Sequence, residues 1–223
     1  MPLAPFPRIL LDQGKKFYEH QIGLAPRTDG EYATHVPILV GVAAALRPKL
    51  FLEFGSGIFS TLSLLDEEAF PSIEKVESYE NNREWFEQIR DRVGLASRVS
   101  LQYVDGDMHL SVEGINTSRA DMIFVDDSPS GEERARTVRG VARRCGLGPV
   151  VVIHDCELWR LRLASRRFAN HVYFDAFNPQ TCVAWNGRPE LAPILETVNE
   201  TIRQHAGDVE LTDIHGWARI FYK

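Results

Sequence analysis

The stretch Leu50–Leu65, LFLEFGSGIFSTLSLL, constrains the fold more than any other part of this chain. Leu50, Phe51, Leu52 and Phe54 form a short apolar run interrupted only by Glu53, the pattern of a buried parallel strand. Gly55-Ser56-Gly57 follows at once, and from Ile58 to Leu65 apolar residues recur at helical spacing. Strand, glycine turn and helix in succession let backbone approach a ligand closely. The turn reads G-x-G-x-x-S, with Ser60 in the place of the third glycine of a dinucleotide fingerprint. Tight Gly-x-Gly turns occur throughout α/β proteins, so the weight of this one depends on its companions downstream.

Those companions repeat the unit. Strands are expected at 73–79, 99–104, 120–125 and 149–153, and helices at 82–93, 130–144 and 157–168. Trp85, Phe86, Ile89 and Val93 give the 82–93 segment its apolar stripe, and Ser128 or Ser130 can cap the helix that ends at Arg144. Segments 172–177 and 181–185 form a strand pair around Asn178-Pro179-Gln180, residues 190–205 a late helix, and 209–223 a last strand or packed tail. Thr34–Leu46 reads as a helix ahead of the first strand. Residues 1–33 form an N-terminal extension with a helix at 10–21, and 34–223 form one domain. Strands alternating with helices predict a doubly wound α/β, Rossmann-like sheet with helices on both faces.

Ligands of such sheets bind beyond the carboxyl ends of the strands, and polar residues gather there: Gly55–Gly57, Glu80, Asp105–Asp107, Asp126-Asp127 and His154-Asp155. A carboxylate such as Glu80 can accept from both hydroxyls of a ribose, and Asp107 can meet an adenine amino group. His154-Asp155 can also be read as a polar strand end that caps the next helix.

Bulk properties exclude some classes. A formal charge of −6 argues against a nucleic-acid binder that works by overall charge. Arg134, Arg136, Arg139, Arg143 and Arg144 lie along one expected helix and read as its solvated face beside Glu132 and Glu133. Three cysteines without a CxxC pair suggest reduced thiols and a cytoplasmic protein. No apolar stretch approaches the ~18 residues of a membrane span. Trp159, Trp185 and Trp217 are each read as core before sugar-stacking platforms.

At this point the chain resembles the class I S-adenosylmethionine-dependent methyltransferases over roughly residues 34–186. The matching segments are EFGSGIFST at Glu53–Thr61, YEN at Tyr79–Asn81, DGD at Asp105–Asp107 and DMIFVDD at Asp121–Asp127. The resemblance implies a sheet of about seven strands with the last antiparallel. It implies S-adenosylmethionine as cofactor, held by Glu53, Gly55, Ser56, Gly57, Ser60, Glu80, Asn81, Asp107 and Asp126. A narrower likeness is to metal-dependent and sugar O-methyltransferases, carried by VDDSPSGEER and VIHDCE, with Asp127 where the sugar enzymes have glycine. It implies Asp126, His154 and Asp155 as catalytic residues and as ligands of a divalent cation, Mg or Mn. The expected activity is methyl transfer to a hydroxyl of a small molecule or saccharide, by an enzyme with no nucleic-acid or membrane partner and with room for self-association. The alternatives are methylation of nitrogen or of a protein side chain, a Rossmann-type NAD(P)-binding oxidoreductase, and a non-catalytic cofactor-binding protein.

Overall fold

A computed structural model of the protein describes residues 33–94 and 98–222. The expected 10–21 helix and the boundary of the N-terminal extension lie outside them. A seven-stranded sheet forms the middle layer. Its strands are β1 (Leu50–Phe54), β2 (Lys75–Glu80), β3 (Val99–Tyr103), β4 (Met122–Val125), β5 (Val150–Ile153), β6 (Asn170–Phe174) and β7 (Thr181–Trp185). The spatial order is β3-β2-β1-β4-β5-β7-β6, and β7 runs antiparallel to both its neighbours.

Side chains of alternate residues leave the sheet on opposite faces. Phe51, Val76, Met122, Phe124, Val150, Val152, Val183 and Trp185 join one core cluster. Leu52, Phe54, Tyr79, Ile123, Val125, Val151, Ile153 and Cys182 join the other. Helices α1 (Val36–Leu46), α2 (Arg83–Val93), α6 (Leu191–His205) and α7 (Ile214–Phe221) supply the first cluster. Helices α3 (Met108–Ser111), α4 (Gly131–Arg144) and α5 (Trp159–Ser165) cover the second. The continuous apolar runs of the central strands thus follow from burial on both sides.

One expectation is corrected here and one open alternative is decided. Residues 58–65 do not make an α-helix; turns lead into a single 3₁₀ turn at Ser63–Leu65. The Gly57 N–H donates to Thr61 Oγ1 at 2.9 Å, and that hydroxyl donates to Glu53 Oε2 at 2.5 Å. The Thr61 hydroxyl thus ties the turn back to the end of β1 through side-chain bonds. The tail at 209–223 contains α7 in place of a strand, capped by the Asp213 side chain, which accepts from the Gly216 N–H at 2.8 Å. All three cysteines are buried free thiols, and no helix among the described residues is long and apolar enough to cross a membrane.

Candidate active site

Register builds the site. Phe54 lies opposite Tyr79 on β2 and Val125 on β4, and Val125 lies opposite Ile153 on β5. The next residue of each strand therefore falls in one row: Glu80, Gly55, Asp126, His154. Backbone bonds continue across it, from the Gly55 N–H to the Tyr79 carbonyl and from the Asp126 N–H to the Phe54 carbonyl, both 2.8 Å. The strand order reverses direction between β1 and β4, which is where a doubly wound sheet opens a crevice.

On the β1–β2 side the glycine turn is tied to carboxylates. Glu80 Oε2 accepts from the Ser56 N–H at 3.0 Å and from its hydroxyl at 3.3 Å, while Oε1 accepts from the Asn82 N–H at 2.7 Å. Trp85 Nε1 donates to the Ser56 carbonyl at 2.5 Å, so the start of α2 clamps the turn. Gly55 has φ +90°, and a Cβ there would stand 2.3 Å from the Asp126 carbonyl oxygen. Only glycine fits that place. At Gly57 a Cβ would meet the Ser60 hydroxyl at 2.7 Å, a group that can rotate away.

Glu53 is fully buried beneath the turn and accepts from Thr61 and Ser78. Ser60 is buried beside it. Both are buried at the turn that the resemblance assigns to the cofactor. Burial pushes the Glu53 carboxyl up to about 7, against hydrogen bonds from Ser60, Ser78 and Thr61. The same cause pushes Glu80 up to about 7 against its bonds from Asn82 and Ser56. Asn81 Nδ2 donates to the Gly106 carbonyl at 3.1 Å, joining the ends of β2 and β3, and Asp107 is exposed. Asp127 is buried, with Oδ2 accepting from the Thr137 hydroxyl at 2.7 Å and Oδ1 without a partner. Burial raises its carboxyl to about 6. Asn81, Asp107, Met108, Asp127 and Thr137 line a cavity of about 10 Å³, room for roughly one water.

On the β4–β5 side, Asp126, His154 and Asp155 do converge, but around a residue the sequence placed elsewhere. Arg134 is 5% exposed. Its Nη2 lies 2.7 Å from Asp126 Oδ1 and donates to the Ser128 carbonyl, and its Nη1 pairs with Asp155 Oδ2. His154 Nδ1 lies 3.4 Å from Asp126 Oδ2 and 3.4 Å from Asp155 Oδ1. His154 Nε2 is 3.0 Å from Thr34 Oγ1, at the entry to α1. Asp155 adopts φ +59°, which turns its carboxylate into the cluster.

Burial alone would raise the Asp126 carboxyl. The Arg134 guanidinium, then His154, outweigh it and hold Asp126 well below the usual carboxylate range. Burial would lower His154, but Asp126 and Asp155 raise it above its ordinary value. His35, the residue before α1, packs its ring 4.9 Å from Phe124 and 4.8 Å from His154. Burial, then the neighbouring His154, lowers it to about 3, so it is neutral.

The signal for Arg134 was present in the pattern. It shares the buried stripe of α4 with Thr137, Val138 and Val141, the i, i+3, i+4, i+7 positions of a core-facing helix. Arg136 and Arg139 behave as a solvated face, pairing with Glu132. Trp185 and Trp217 are core as expected, whereas Trp159 is 66% exposed, contrary to its expected place in the core.

No protein-family model matches the chain, and no curated protein matches it at the sequence level. Solved structures do. A putative caffeoyl-CoA O-methyltransferase from Staphylococcus aureus aligns with TM-score 0.55 and 13% identity over 81% of this chain and 98% of its own. A putative O-methyltransferase from Klebsiella pneumoniae gives 0.53 and 18% over 84% and 92%. PigF, solved with SAH, gives 0.52 and 17% over 84% of this chain and 63% of its own. The fold is the α/β methyltransferase-like Rossmann fold. At these identities the likeness concerns architecture, and the chemistry rests on the residues themselves.

Proposed function

We propose that this chain is an S-adenosylmethionine-dependent methyltransferase acting on a hydroxyl of a small molecule or sugar. The observation that carries the proposal is the row at the β1/β4 crevice. Gly55 there admits no side chain, Glu80 lies beside it, and Asp127, whose Oδ1 is buried without a partner, lines the adjoining cavity. This donor and acceptor set fits an adenosyl ligand. Glu80 has lone pairs left for ribose hydroxyls, and Asp127 Oδ1 or Asp107 suits an exocyclic amine. A cavity of about 10 Å³ is far smaller than an adenine, so binding requires the glycine turn and the 105–109 segment to part.

The cofactor, when bound, supplies a methyl group already activated on a sulfonium. The protein then has to place an acceptor oxygen and remove one proton. His154 is suited to the second task. Two carboxylates at Nδ1 stabilise its charged form, and Nε2 faces the Thr34 hydroxyl, whose place an acceptor hydroxyl can take. Asp126 and Asp155 orient the ring. The divalent cation implied by the narrower resemblance would have to share both carboxylates with the Arg134 guanidinium, which already contacts one oxygen of each.

The test is isothermal titration with S-adenosylhomocysteine and, separately, NADH. Binding of the first alone is expected, with Gly55→Val abolishing it. Binding of NADH alone would move the chain to the oxidoreductases. Once the cofactor is placed, screening hydroxylated, amino and peptide acceptors for methyl uptake separates oxygen from nitrogen and protein methylation.

A further inference from the structure

Arg134, Asp126, His154 and Asp155 form a closed ring of alternating charge-bearing groups. Each carboxylate has one oxygen against the guanidinium and the other 3.4 Å from His154 Nδ1. The guanidinium's two arms reach two different acids, a use of its planar fork that no ammonium reproduces. Two neighbouring carboxylates need a positive charge between them, and this one is covalently part of the chain and never loses its proton.

We infer that Arg134 is the built-in cation of this site: it stands where a divalent metal would otherwise bridge Asp126 and Asp155, and it fixes the orientation of His154. A metal ion coordinated by either acid would have to share that acid with a guanidinium of like charge. The nearby set His35, Asp126 and His154, whose candidate ligand atoms lie within 4.8 Å of one another, draws on two members of the same ring. Metal bound there would have to break the ring as well. Arg134 is thereby a positioning residue, acting on an acceptor only through His154. That last clause rests on the methyltransferase reading, whereas the exclusion of metal does not.

The experiment is a manganese titration of the cofactor-free protein, followed by the loss of the free Mn²⁺ EPR signal and repeated with MgCl₂ by calorimetry. Wild type is expected to bind neither ion at millimolar concentration. Arg134→Ala, with folding checked by circular dichroism, should gain Mn²⁺ affinity by at least tenfold, and Asp126→Asn added to it should remove the gain. Should Arg134→Ala not fold, Arg134→Gln replaces it at closer volume. Arg134→Lys keeps the charge and should stay metal-free. NMR of the His154 imidazole should then titrate nearer the wild-type value in Arg134→Lys than in the neutral variants. Manganese binding by wild type that is lost in Asp126→Asn or His35→Ala overturns the inference. So does the absence of binding in both wild type and the neutral variants, since Arg134 would then be displacing nothing. Failure to bind S-adenosylhomocysteine alongside the expected metal results would overturn the methyltransferase reading and leave the built-in cation standing.

Discussion

The two halves of the sheet edge treat buried acid in opposite ways. At the ends of β1 and β2, Glu53 and Glu80 are surrounded by hydroxyl and amide donors, and burial drives their carboxyls up to about 7. At the ends of β4 and β5, Asp126, partly buried, is held well below the usual carboxylate range. The difference is the contact charge of Arg134, joined by His154; Asp127, next to Asp126 but bonded to the Thr137 hydroxyl, is raised to about 6 by burial like the glutamates. Neutral donors solvate a carboxylate only in part, whereas a full positive charge in contact more than offsets desolvation. One half is thus poised to change protonation near neutral pH and to exchange its hydrogen bonds for those of a ligand. The other holds Asp126 ionised beside a permanent guanidinium and raises His154 above its ordinary value.

The comparison breaks most visibly if its guanidinium is removed. Arg134→Gln should lose about 3 kcal/mol of stability. That is the low end for breaking a buried pair, because the carboxylates keep some solvent contact. Denaturant unfolding measures it, and a loss below ~0.5 kcal/mol would mean that the ring contributes nothing.

The next effect is steric. Gly55→Ala places a Cβ against the Asp126 backbone at a left-handed φ and should cost about 2 kcal/mol, together with ligand binding. Gly57→Ala should be milder, since its Cβ meets the Ser60 hydroxyl and no backbone, at the expense of that hydroxyl's bond to Glu53. Equal effects of the two on the unfolding midpoint would contradict the geometry.

The electrostatic contrast predicts opposite pH dependences. Asp126, lowered from 3.8, contributes stability that is present above that value and lost as pH falls through its folded value. His154, raised above 6.5, contributes stability that is complete below 6.5 and lost as pH rises through its folded value. The ring is therefore strongest between about pH 4 and 6.5. Glu80 has the reverse sign for an acid: raised from 4.5 to about 7, it weakens the fold as pH climbs through that interval. Ribose hydroxyls prefer its ionised form, so affinity for S-adenosylhomocysteine should rise by about 1 kcal/mol from pH 6 to 8. Glu80→Gln should bind more weakly and lose the pH dependence. A pH-independent wild type in calorimetry would rule out Glu80 as the ribose acceptor.

The smallest expected effect is at Thr34. Thr34→Val removes the hydroxyl facing His154 Nε2 and should cost about 1 kcal/mol. It should also shift the His154 NMR titration without altering cofactor affinity. An unchanged titration would separate Thr34 from the proton path.

Much of this was determined locally. The apolar run at 50–54, the glycines after it and the alternation of strand and helix are contiguous patterns, and each needs only its own neighbours to be read. The acids at the strand ends follow from that alternation, because a parallel sheet aligns those ends by register. Other features were beyond local reach. The helix pattern at 58–65 is genuine, but Thr61 gives its hydroxyl to Glu53, a bond that exists only once β1 lies beside the turn. Glu53 and Ser60 match a ligand motif in sequence, and only the folded chain shows Glu53 fully buried and accepting from Thr61 and Ser78. Arg134 looked like one of five surface arginines until the packing of α4 against the sheet turned its stripe inward and seated it between two carboxylates. Sequence periodicity fixes which residues share a face. Whether a charged member of that face is solvated or buried depends on the charges that other strands bring to meet it, and only the tertiary structure supplies them.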